Sequence, residues 1–150
     1  MPPRVVLDIP QSPVPKGRPQ VSWRGGKKHA FTPDRTALAE RRMRDFARAQ
    51  LGDDWVPFRG PLAVTITVYR VVPRDMPKRV RATAACLLRP DLDNFLKLAL
   101  DALAAANGVD WCVFLDDSQV VELHATKVLA VDRAPGWVIV IEPLAAEAGE

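Results

Sequence analysis

The sequence has little cysteine, little histidine and no long apolar run, and each shortage removes a class of protein. Two cysteines, Cys86 and Cys112, cannot build a disulfide framework. A reducing cytoplasm is therefore the expected compartment. The two histidines, His29 and His124, share no metal-ligand spacing with those cysteines, and no serine forms a recognisable triad with them. Neither zinc nor Ser–His chemistry is expected. No stretch reaches the ~18 apolar residues that a membrane-spanning helix requires. Met1-Pro2-Pro3-Arg4 leads into a short strand-like run, so no signal peptide is expected. Gly25-Gly26 is too small a glycine cluster for a phosphate-cradling loop.

What is present suits one domain. The chain has 150 residues, 48% hydrophobic and 26% charged, enough for a core that stands alone. Residues 1–150 are expected to form that single domain, with 144–150 as a flexible tail. Fourteen prolines imply stiffened loops. The formal net charge of +3 hides a split. Residues 1–82 hold 17 Lys+Arg against 7 Asp+Glu, whereas residues 83–150 hold 4 against 11. A basic half joined to an acidic half suits a polyanion gripped by one region and presented to carboxylates in the other. The alternative is surface charge that falls unevenly by chance.

Val5–Ile9 reads as a strand ended by Pro10, and residues 10–32 as a basic loop with a hairpin tip at Gly25-Gly26. Thr32-Pro33 is a helix start, and Gly52 a stop. Within that helix Ala39, Met43, Phe46 and Ala47 share one face, while Arg41, Arg44 and Arg48 share another. The arginine face is either solvated or a phosphate contact. Leu62–Tyr69 is a β-branched strand. Residues 72–90 read as a basic loop, with a short helix near 81–86. A second helix is expected over 93–106, stopped by Asn107-Gly108. Strands follow over 109–115, 120–128 and 138–141. The order predicts an α+β fold, an α/β-like mixed sheet flanked by two main helices.

Two acidic features carry the chemistry. In Arg89-Pro90-Asp91-Leu92-Asp93-Asn94, proline extends the preceding residue, and extended chain points Asp91 and Asp93 the same way. Helix capping is the competing explanation. Asp116-Asp117 is the second feature. A helix of about 14 residues travels roughly 21 Å at ~1.5 Å per residue. Residues 109–115, if extended, travel back roughly 23 Å at ~3.3 Å each. Asp116 or Asp117 is thus expected beside Asp91 and Asp93. Such a cluster repels itself unless a cation sits within it, and oxygen ligands select a hard ion, commonly Mg²⁺. Two unrelated solvated acidic turns are the alternative. Lys97, one helical turn after Asp93, is either a surface ion pair or a cation placed to stabilise phosphate charge. Trp23 and Trp111 are either packing residues or base-stacking groups.

The runs Arg89-Pro90-Asp91-Leu92-Asp93-Asn94-Phe95-Leu96-Lys97, Asp101-Ala102-Leu103 and Leu115-Asp116-Asp117-Ser118-Gln119-Val120-Val121 resemble the RusA family of Holliday-junction resolvases. Pro15-Lys16-Gly17-Arg18-Pro19 followed by Phe31-Thr32-Pro33 is similar to phage-type members. The long Pro-rich N-terminal segment and the 72–88 loop depart from the pattern. The resemblance implies a homodimeric, Mg²⁺-dependent endonuclease, with Mn²⁺ as a substitute ion, acting on branched DNA in recombination and repair. It maps the essential carboxylates onto Asp91, Asp93 and Asp117, the functional lysine onto Lys97, and leaves Asp116 as an adjacent acid. A bacterial or phage-encoded cytoplasmic enzyme follows.

The expected function is thus junction resolution by paired symmetric nicks. Asp91, Asp93, Asp117 and Asp116 are the candidate metal residues. Lys16, Arg18, Lys27, Lys28, Arg41, Arg44, Arg48 and Arg89 are the candidate DNA contacts. A less selective branched-DNA or duplex nuclease, and a non-catalytic junction-binding protein, are the rival functions.

Overall fold

Alternation makes Val5–Ile9 a strand (β1): Val5, Leu7 and Ile9 are buried and the residues between them exposed. The computed structural model describes residues 3–17, 20–31, 34–77, 86, 89–106 and 108–145. After β1 come β2 (Gln20–Arg24), β3 (Lys27–Phe31), α1 (Asp34–Leu51), β4 (Leu62–Arg70), α2 (Leu92–Leu103), a 3-10 turn (Asp117–Gln119), β5 (Val120–Leu129) and β6 (Gly136–Pro143). β2 and β3 form a separate antiparallel ribbon. The other strands form one mixed sheet ordered β1-β6-β4-β5, in which only β4 and β5 run parallel. The fold is α+β.

One face of the sheet meets both helices. Leu62, Val64, Ile66 and Val68 of β4 and Trp137, Ile139 and Ile141 of β6 supply the sheet side. Ala39, Met43 and Ala47 of α1 and Phe95, Leu98, Ala99, Ala102 and Leu103 of α2 supply the helix side. Phe95 meets Trp137 edge-on at 6.0 Å. The expected apolar face of α1 is therefore the packed one. Gly52 ends α1 at φ +96, donating its N–H to the Arg48 carbonyl. Gly136 is required where β6 passes β1, because a Cβ there would lie 2.6 Å from the Ile9 carbonyl oxygen.

Three expectations are corrected. The second helix ends at Leu103, short of Asn107-Gly108, because Ala104 is drawn into an extended bridge with Phe114. Residues 109–115 are not a strand. Trp111, Cys112, Val113 and Phe114 are buried consecutively rather than alternately, in an irregular loop. The last strand is longer than 138–141, since β6 pairs along its length with β1 and β4. The helix start at Thr32-Pro33, the short helix near 81–86 and most of the tail lie outside the described residues.

Candidate active site

The N-terminal end of α2 carries the first acidic group. Asp91 is the N-cap residue (φ −67, ψ 153), yet its carboxylate makes no cap hydrogen bond. Asp93 lies in the first turn, and both carboxylates are exposed. Leu92 between them is half-buried against the core. The extended alternation therefore ends at Asp91, and both acids sit at the positive end of the helix dipole. Two cations fix the approach: Lys127 Nζ donates to the Pro90 carbonyl at 2.9 Å, and Arg70 Nη1 to the Arg89 carbonyl at 3.3 Å. Lys97 is exposed one turn after Asp93.

The second acidic group lies at the other end of α2. The chain leaves the helix at Ala104 and returns to it at once: Val113 N donates to the Leu103 carbonyl at 2.8 Å, and Ala105 N to the Phe114 carbonyl at 3.1 Å. Tryptophans hold this loop against the end of α1, with Trp111 Nε1 on the Gly52 carbonyl and Trp55 Nε1 on the Val113 carbonyl. Asp116 then caps the 3-10 turn, accepting from Ser118 N at 2.8 Å. The backbone N–H and then the hydroxyl of Ser118, with Asp117 adding to them, hold the Asp116 carboxyl below its ordinary pKa.

Gln119 builds this corner. Its Oε1 accepts from Leu115 N (2.8 Å) and Asp116 N (2.9 Å), and its Nε2 donates to the carbonyls of Phe58 (2.9 Å) and Gly60 (3.0 Å). Sequence spacing places Gln119 in the motif but gives it no role. The structure makes it the joint between the acidic turn and the segment that leads into β4.

Two independent rulers separate the acidic groups. The 12 residues of α2 span about 18 Å at ~1.5 Å each. Along β5, Val120 follows the acidic turn and Lys127 reaches Pro90, a run of about 23 Å at ~3.3 Å per residue. Asp117 thus does not return beside Asp91 and Asp93 within one chain. The expected 23 Å return is never made, because the loop doubles back onto Leu103. Among the described residues, no three His, Cys, Asp or Glu side chains gather to hold one ion.

The expected DNA contacts divide. Lys27 and Lys28 are exposed at the ribbon tip, and Arg41 and Arg89 are exposed. Arg44 Nε donates to the Ala102 carbonyl, closing the C-terminal end of α2. Arg48 pairs with Asp53 at 2.7 Å and Asp110 at 3.5 Å, and the Asp53 hydrogen bond raises its pKa. Arg41, Arg44 and Arg48 of α1 line one open cavity of about 180 Å³ beside Gly108 and Asp110. Arg18 lies outside the described residues.

Lys16 is not a free surface cation. Its Nζ is held by Glu40 of α1 and Asp101 of α2, the latter at 3.1 Å, with side-chain exposures of 17%, 16% and 32% for the three groups. Burial works against the ammonium, but the hydrogen bonds to Glu40 and Asp101 outweigh it and raise the Lys16 pKa. This triad shares an open cavity of about 330 Å³ with Asp116 and Asp117.

Comparison with known proteins gives this α+β chain its class. The family model described as Endodeoxyribonuclease RusA matches residues 10–142, from the end of β1 to the end of β6. The uncharacterized protein YqaN of Bacillus subtilis (strain 168) is 30% identical over 122 residues, covering 77% of this chain and 80% of its own. The class is endodeoxyribonuclease. Within it, the chain belongs to the RusA family. Among the described residues no helix is long and apolar enough to cross a membrane.

Proposed function

We propose that the protein resolves four-way DNA junctions by paired symmetric nicks, as a two-fold homodimer that depends on a divalent ion. The observation that carries this reading is Asp91: an aspartate at a helix N-cap whose carboxylate makes no cap hydrogen bond, beside a second exposed aspartate. Capping does not explain the pair, and an all-carboxylate donor set suits Mg²⁺, with Mn²⁺ able to replace it. Such an ion supplies Lewis acidity and charge neutralisation at the scissile phosphate.

The ends of α2 are too far apart to share one ion within a chain. Two chains related by a two-fold axis, with their α2 helices antiparallel, lay the first acidic group of each beside the second group of the other. Asp91 and Asp93 of one protomer would then join Asp117 of its partner, with Asp116 alongside. Two such sites match the approximate two-fold symmetry of a four-way junction. Lys97 adds positive charge where the phosphate charge grows. Lys27, Lys28, Arg41 and Arg89 hold flanking phosphates, which makes binding steeply salt-dependent.

The test is Asp91→Asn or Asp117→Asn on a synthetic four-way junction with Mg²⁺. Cleavage should fall by about 100-fold or more, with folding intact by circular dichroism. A folded variant that cuts at the wild-type rate would remove that aspartate from the chemistry. A matched panel of flaps, forks and linear duplex separates junction selectivity from broader nuclease action.

A further inference from the structure

Trp23 stands out from the other tryptophans. Trp111 and Trp137 are buried and Trp55 is half-buried, but Trp23 is 71% exposed. An indole left in water contributes nothing to the core, so packing does not explain it. It sits one residue before the end of β2, opposite Lys28 in the register, and the ribbon turns at Gly25 (φ +58) and Gly26 (φ +76). Positive φ at both central residues is the geometry of a tight two-residue hairpin. Lys28 is exposed on the indole's face of the ribbon, and Lys27, the residue before it in β3, is exposed on the opposite face. An aromatic plate thus stands beside one ammonium group, with a second on the opposite face, at the free end of a ribbon about 17 Å tall at ~3.3 Å per residue.

The chain leading to this ribbon is tied down between the two acidic groups. Gly17 N donates to Thr36 Oγ1 at 2.9 Å, and Thr36 is buried in the first turn of α1. Lys16 N donates to the Asn94 carbonyl at 2.9 Å, while its ammonium is clamped by Glu40 and Asp101 at the cavity shared with Asp116 and Asp117. A two-stranded ribbon is marginal on its own in water. These bonds anchor the chain at Gly17, three residues before β2 begins.

We propose that Trp23 is a base-stacking residue: an unpaired or unstacked nucleobase near the branch point lies on the indole, with Lys27 and Lys28 on the adjoining phosphates. The proposal rests on the DNA-junction reading above. Stacking accepts any base, because every base has a π-face, and it favours branched over continuous duplex DNA, whose bases are already stacked. It also differs from phosphate contact in one measurable way. Losing a stacked ring changes affinity without changing counterion release, whereas losing a lysine lowers the salt slope.

The test uses the full-length protein without divalent ion, so that binding is read without cleavage. Affinities for a four-way junction and for its linear duplex are measured across a salt series for wild type, Trp23→Ala, Trp23→Phe, Lys27→Ala and Lys28→Ala. A 2-aminopurine at the branch point reports base unstacking. Trp23→Ala should weaken junction binding by about 10-fold or more, spare duplex binding, keep the salt slope and diminish the 2-aminopurine signal. Trp23→Phe should recover most of the loss. Each lysine variant should lower the slope by about 1. Unchanged junction affinity and 2-aminopurine signal in Trp23→Ala, or an equal loss on duplex, would overturn the stacking role. If wild type itself fails to bind the junction, the junction reading falls instead.

Discussion

Replacing Gln119 with alanine should loosen the acidic turn more than its partial exposure suggests. One side chain closes four hydrogen bonds, two to the backbone N–H groups of Leu115 and Asp116 and two from its amide to the carbonyls of Phe58 and Gly60. At about 0.5–1.5 kcal/mol net for each, the set is worth roughly 2–6 kcal/mol. Leu115, Asp116 and Gly60 are exposed and regain water when the side chain is lost, which favours the lower part of that range, about 2–3 kcal/mol. For a chain of this size that is a fall in Tm of roughly 4–12 °C. Thermal unfolding by circular dichroism measures it. Gln119→Glu separates the two halves of the network: a carboxylate still accepts from Leu115 and Asp116 but cannot donate to the two carbonyls. It should be no more stable than alanine at neutral pH. Cleavage below the lowered Tm should also slow, with junction binding retained, because the turn that presents Asp117 has lost its joint. A Gln119→Ala protein within about 0.5 kcal/mol of wild type would refute this role.

Lys97→Ala should slow cleavage while leaving junction affinity near normal; equal losses in both would make Lys97 a binding residue. Lys16→Met should lower stability by about 1–3 kcal/mol, because Glu40 and Asp101 then face each other without their cation. The salt slope of DNA binding should not change in that variant, since the ammonium is already occupied inside the protein. Because the folded-state pKa of Lys16 is raised, its contribution is complete below the unfolded lysine value and is lost as pH rises through the folded one, so the Lys16→Met difference should vanish only in strong alkali. Gly136→Ala should destabilise by about 1–3 kcal/mol in denaturant unfolding, as its methyl group meets the Ile9 carbonyl and forces β1 and β6 apart.

Where side chains repeat with a period, the sequence reveals the fold. The alternation in Val5–Ile9 and Leu62–Tyr69, the 3.6-residue stripe of Ala39, Met43 and Ala47, and the Gly52 stop all reappear in the structure. Legibility ends where tertiary contacts outvote local preference. Ala104-Ala105-Ala106 are good helix formers, yet the bridge to Phe114 ends α2 before them. The apolar run 111–114 resembles a strand, but it is buried on every side and needs no alternation. Its compact path is why the acidic groups stay apart. The two acidic groups stand out in the sequence, but that they lie at opposite ends of α2 does not. Nor does the Lys16–Glu40–Asp101 triad, because its members come from three distant segments and leave no periodic trace.

A heterodimer tests the shared site most directly. One chain carries Asp91→Asn with Asp93→Asn, the other carries Asp117→Asn, and the two are co-expressed with different tags so that the mixed species can be isolated. Each variant homodimer should be inactive on a four-way junction with Mg²⁺. The mixed dimer should regain nicking in one strand without paired incision, since one of its two sites unites an intact Asp91/Asp93 pair with an intact Asp117. A purified mixed dimer as inactive as its parents would contradict a site assembled from both ends of α2 in different chains.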